Sequence, residues 1–106
     1  MVHPVHKVKD FSIAGPYRLR IEFEDGLVRT IDFQPLLEGE IYGPLRDLDR
    51  FNSVTVDREA HTITWPNGAD FDPAILHDWP EYEAGMLALA RRWAAAARGE
   101  TGDGNS

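Results

Sequence analysis

The stretch Tyr17-Arg18-Leu19-Arg20-Ile21-Glu22-Phe23, followed by Asp25-Gly26, leaves the chain few ways to begin folding. Apolar and charged residues alternate with a period of two, which sends successive side chains to opposite faces of a strand. One face must be buried and the other can meet water. Asp25-Gly26 supplies a hairpin turn, because glycine reaches positive φ without a Cβ clash. Leu27, Arg29, Ile31 and Phe33 then share one parity, and Val28, Thr30 and Asp32 the other, so a second strand is predicted to return beside the first. A further strand is predicted over 5–12, broken from the hairpin by Ala14-Gly15-Pro16.

Ser53 to Asp57 and His61 to Trp65 are β-branched runs separated by Arg58-Glu59-Ala60, which predicts a second hairpin. Between the hairpins, Gln34 to Leu45 carries prolines and glycines that allow only short turns, and Pro44 to Phe51 is expected to make one or two helical turns. Asp72-Pro73 reads as a cap and first residue of a short helix over Ala74 to Asp78, stopping before Trp79-Pro80. A longer helix is predicted from Pro80 to about Arg98, with Glu81 and Glu83 in its first turn and Arg91, Arg92 and Arg98 towards its end, as the helix dipole favours. Tyr82, Met86, Leu89 and Trp93 fall on one stripe of it. The expected class is α+β: an antiparallel sheet of about four to five strands, short connecting helices and one longer C-terminal helix. Residues 1–80 form the expected α+β domain, 81–98 a helix packed on it or on a partner, and 99–106 a tail with nothing to bury.

At 106 residues the chain has room for one modest core. It has no cysteine, which removes disulfides, thiolate metal sites and thiol nucleophiles. No window is apolar enough for a membrane helix and the N-terminus lacks a signal-peptide pattern, so a cytoplasmic location is expected. Eleven Lys and Arg against 18 Asp and Glu give a formal charge of −7, which argues against direct nucleic-acid binding by this chain and suits a basic partner.

Taken in order, Tyr17 to Phe23 with Asp25-Gly26, Asp32-Phe33-Gln34-Pro35-Leu36-Leu37, Pro44-Leu45-Arg46-Asp47 before Phe51, and Val56-Asp57 with Ile63-Thr64-Trp65-Pro66-Asn67-Gly68-Ala69-Asp70 and Pro73 resemble a small bacterial domain-of-unknown-function family, DUF2442. The resemblance spans roughly residues 3–78, and Trp-Pro-Asn-Gly-x-Asp is its most specific part. It implies an α+β domain on an antiparallel sheet. Some members look like modules ahead of a helix-turn-helix domain and others like partners in toxin-antitoxin-like operons. It brings no catalytic residues, and after Asp78 this chain has one helix where a DNA reader needs several.

Two surfaces carry the candidate chemistry. At the Trp-Pro-Asn-Gly corner, Trp65, Asn67 and Asp70 are candidate binding residues; the competing structural reading packs the Trp65 ring in the core, bonds turn amides to Asp70 and caps a helix with Asp72. Asp70, Asp72 and His77 are oxygen and nitrogen donors close in sequence, but their spacing matches no metal loop, and a zinc site at His3-x-x-His6 would need ligands from elsewhere; no metal or other cofactor is therefore expected, the alternative reading being a small-ligand or divalent-metal-binding domain centred on Trp65, Asn67, Asp70, Asp72 and His77. The second surface is Tyr82, Met86, Leu89 and Trp93, which either docks on the domain's own sheet or meets a protein partner or a second copy. No nucleophile signature, phosphate loop or paired catalytic carboxylates stand out, so no enzyme is expected.

Overall fold

The hairpin predicted around Asp25-Gly26 is the centre of the fold. In the computed structural model, which describes residues 6–97 and 99, β1 (Val8–Gly15), β2 (Arg18–Phe23) and β3 (Val28–Asp32) form an antiparallel sheet in that order. Leu19 pairs with Ile31 and Ile21 with Arg29. Leu19, Ile21, Phe23, Ile31 and Phe33 are all buried, as the period-two pattern requires. Gly26 takes φ 92° in the turn, whose Phe23 and Leu27 exchange a backbone bond of 2.9 Å from the Phe23 N–H to the Leu27 carbonyl.

Ala14-Gly15-Pro16 does not end the first strand where the composition suggested. β1 runs on to Gly15, the register shift between Ile13 and Gly15 absorbing the irregularity. The reversal falls at Tyr17, which holds φ 60°. Its carbonyl accepts from Phe33 N–H at 2.8 Å, and its hydroxyl donates to the Arg46 carbonyl, so tertiary bonds fix a conformation that side chains ordinarily avoid. Val5 and His3, parts of the expected first strand and histidine pair, lie outside the described residues, as do Arg98 and 100–106 of the expected helix end and tail.

The expected single sheet is two. β4 (Thr55–Asp57) and β5 (Thr62–Thr64) pair antiparallel with each other, and their reversal is organised by Asp57, whose carboxylate accepts from the N–H groups of Glu59 and Ala60, and by His61 at φ 57°. These strands are three residues long. Among the described residues the backbone bond that ties this hairpin to β1 is Val8 N–H to the His61 carbonyl at 2.9 Å, while the Lys7 carbonyl accepts from Glu24 N–H at 3.0 Å. Five strands are therefore present among the described residues, divided three and two.

The broken segment behaves as its prolines and glycines require. 3-10 turns at Gln34–Leu36 and Gly43–Arg46 alternate with the one-turn helices α1 (Gly39–Tyr42) and α2 (Leu48–Phe51), the latter capped by Asp47 accepting from Asp49 N–H. They bury Leu36, Leu37, Leu45 and Phe51 over the sheet. α3 (Pro73–His77) starts at the Asp72 cap, and α4 (Trp79–Ala97) starts one residue earlier than expected, because Pro80 is tolerated in a helix's first turn. α4 lies against α1 and the first 3-10 turn. Trp79 and Ala90 are buried, and Met86, Leu87 and Trp93 pack on the core, while Tyr82 is 45% exposed.

Candidate functional site

Pro66 has no N–H for a ladder, so the chain after β5 turns back on itself through Trp65 N–H to the Ala69 carbonyl (2.9 Å) and Gly68 N–H to the Trp65 carbonyl (3.0 Å), with Gly68 at φ 91°. Trp65 points inward. It is 2% exposed, and its indole N–H donates to the Phe51 carbonyl at 2.8 Å. Asn67 bonds in both directions: its amide nitrogen donates to the Ile41 carbonyl (2.9 Å) and its oxygen accepts from Ala69 N–H (3.1 Å). The turn amide is thus held by Asn67 where the sequence suggested Asp70, because the Asx geometry needs the acceptor two residues before the N–H it takes. Asp70 contributes its backbone, accepting from the Tyr42 hydroxyl at 2.6 Å, and Asp72 caps α3 through Ala74 N–H at 2.8 Å.

Outside this corner lies a shallow, mainly apolar groove of about 400 Å³ lined by Leu45, Arg50, Ser53, Pro66 and Asn67. Ile41, whose carbonyl Asn67 holds, is 50% exposed, and Leu48 on α2 is 38% exposed. Of the residues singled out at the corner, Asn67 therefore reaches this surface and Trp65 supports it from beneath. On α4, Trp93 stacks on Tyr42 with centroids 5.5 Å apart, Met86 also packs inward, Leu89 is half-buried, and Tyr82 remains in solvent. The stripe is split between the domain's own core and the surface.

A second cluster joins three parts of the chain. His77 ends α3, and its partly buried ring lies between two carboxylates, with Nδ1 2.8 Å from Asp78 Oδ1 and Nε2 2.7 Å from Asp25 Oδ2 in the β2–β3 turn. The His6 ring stacks on it with centroids 3.7 Å apart and planes 13° from parallel, and His6 Nε2 is 3.9 Å from Asp78 Oδ2. The edge of Phe23 closes one side at 4.9 Å, and Arg29 Nε donates to the His77 carbonyl at 2.8 Å, which explains a charged residue on the buried parity of β3. His6, His77 and Asp78 are the group among the described residues that each offer a donor atom within 4.8 Å of the others; Asp70 and Asp72 do not join His77 there. Sequence reasoning weighed His6 only beside His3, missed Asp78, and read Asp25 only as a turn residue. No spacing rule links residue 6 or 25 to 77.

These contacts shift both kinds of group. Burial works against the charged His77 ring, but the Asp78 and Asp25 carboxylates outweigh it and raise its pKa above the ordinary histidine value. The Leu27 N–H, then the His77 ring, lower that of Asp25. A raised histidine pKa contributes stability that is complete below about 6.5, the unfolded value, and is lost as pH rises through the folded one. A depressed carboxylate contributes stability above its unfolded value that is lost as pH falls through the folded one. In the presence of a chelator, the melting temperature is therefore expected to fall between pH 6 and pH 8, and His77→Gln is expected to flatten that slope. Calorimetric scans across the range, with His6→Ala alongside to separate the neighbouring ring, check this; an unchanged slope in His77→Gln refutes the assignment.

A model of a family described as a protein of unknown function (DUF2442) matches residues 8–81, from the start of β1 to the first turn of α4. No curated protein and no solved structure matches the chain. No helix among the described residues is long and apolar enough to cross a membrane.

Proposed function

The chain belongs to the DUF2442 family of proteins of unknown function, and from that premise we propose that it is a non-enzymatic protein-interaction module, the regulatory or antitoxin-like half of a two-protein system. The observation that carries the reading is the groove of Leu45, Arg50, Ser53, Pro66 and Asn67 with Ile41 and Leu48 exposed beside it. Apolar surface held rigidly at a corner and rimmed by polar groups is the form that takes an anchor side chain from a partner. The formal charge of −7 favours a partner whose surface is basic around that anchor. Trp65 fixes the corner from below, so its role in binding is positioning.

A photo-crosslinking phenylalanine at Ser53, in cells of the native host, is expected to capture one protein of discrete mass. The same probe at Thr30, on the solvent face of β3, is expected to capture none. An adduct of twice the chain's mass makes the partner a second copy. Absence of any adduct at Ser53, or identical adducts at both positions, overturns the reading.

A further inference from the structure

We propose that His6, His77 and Asp78 form a binding site for a divalent transition metal of the zinc type, with Asp25 as the residue that orients His77. This site is separate from the groove and stands or falls independently of it.

The donor count favours it. A neutral imidazole has one N–H, yet carboxylate oxygens face both nitrogens of His77, at 2.8 Å from Asp78 and 2.7 Å from Asp25. One contact is satisfied by the ring's own proton, and the other is met by a second proton in the imidazolium form or by a metal ion that takes that proton's place. If the proton is on Nε2, it is donated to Asp25, and the Nδ1 lone pair is left facing Asp78. That is the carboxylate–histidine–metal arrangement in which an outer carboxylate fixes the tautomer and the opposite nitrogen ligates.

The distances favour it as well. Ligands at about 2.0–2.2 Å from a tetrahedral zinc lie about 3.3 Å from one another. One donor atom from each of His6, His77 and Asp78 lies within 4.8 Å of the other two; His77 Nδ1 is 2.8 Å from Asp78 Oδ1 and His6 Nε2 is 3.9 Å from Asp78 Oδ2, so small side-chain shifts reach that spacing. His6 must rotate out of its 3.7 Å parallel stack to aim Nε2 at the same point, since a metal lies near the plane of each ring it binds. It precedes β1, so no strand pairing fixes its backbone. Two nitrogens and one carboxylate select zinc, cobalt or nickel over calcium and magnesium, which prefer oxygen alone. Three protein ligands leave a fourth position for water or a group from another molecule.

The test is isothermal titration of tag-free, chelator-stripped full-length protein with Zn²⁺, with Co²⁺ absorption read in parallel. One saturable equivalent is expected, with Co²⁺ bands of tetrahedral intensity, and Ca²⁺ is expected not to compete. His6→Ala is expected to weaken Zn²⁺ at least tenfold, and Asp25→Asn, which removes no ligand, by about 10–100-fold. His61→Asn, a histidine outside the cluster in a left-handed position that asparagine tolerates, is expected to bind as the native chain does. Both cluster variants lie at the chain's start or in an exposed turn, so folding is checked by circular dichroism before titration. No saturable Zn²⁺ uptake, or uptake unchanged in both His6→Ala and Asp25→Asn, overturns the proposal.

Discussion

Trp65→Ala is expected to cost about 3–5 kcal/mol, the range for emptying a buried aromatic site. The indole is packed against Phe33, Phe51 and Phe71 at centroid distances of 6.2, 5.6 and 5.9 Å, and its N–H donates at 2.8 Å to the Phe51 carbonyl, which the substitution would leave with only the longer 3.3 Å bond from Val54 N–H. Against a total stability on the order of 5–15 kcal/mol, this leaves little margin for a chain of this size. Asn67→Ala, at an exposed turn, is expected to cost about 1–2 kcal/mol for two lost hydrogen bonds. Urea denaturation followed by circular dichroism separates the two. A Trp65→Ala protein within about 1 kcal/mol of the native chain would return Trp65 to the surface as a recognition residue.

Truncation after Trp79 is the second large effect. It removes Met86, Leu87, Ala90 and Trp93 from the core and ends the aromatic series in which Trp93 stacks on Tyr42 (5.5 Å) and Tyr42 on Phe71 (4.9 Å). At about 1.5–3 kcal/mol for each fully buried large side chain, and less for these partly buried ones, the loss is on the order of 3–5 kcal/mol. The truncated chain is expected to lose its cooperative transition or to aggregate, and the full chain to be a monomer by light scattering. Tyr82→Ala is expected to change stability by no more than about 0.5 kcal/mol. A dimeric full chain whose truncation is a folded monomer would reverse the assignment and make the helix an association surface.

The sheet's first hairpin was legible because a period of two and an Asp-Gly turn are both local signals, and they agree. The family resemblance carried by Trp65 to Asp70 was legible for a related reason: proline, asparagine and glycine each constrain the backbone where they stand. What was not legible was tertiary. Nothing near Ala14 or Tyr17 announces that Phe33 N–H and the Arg46 carbonyl hold Tyr17 at φ 60°, so the first strand's end was misplaced. The period of α4 found apolar residues without finding which side faces inward. Its docked line passes through Trp79, Met86, Ala90 and Trp93, and small Ala90, invisible to a search for large residues, is almost fully buried. The His77 cluster depends on a turn, a chain start and a helix junction meeting in space, which no sequence interval encodes.

The three tryptophans stand at three different joints: Trp65 beneath the corner, Trp79 at the junction of α3 and α4, and Trp93 where the end of α4 meets Tyr42. Trp65 is almost fully enclosed, whereas Trp93 is only partly buried. Their ultraviolet emission is consequently a label-free record of where the molecule loosens. Single-tryptophan versions, with phenylalanine at the other two positions, would place each red shift on its own joint, and would distinguish a helix lifting from its seat from the whole core opening.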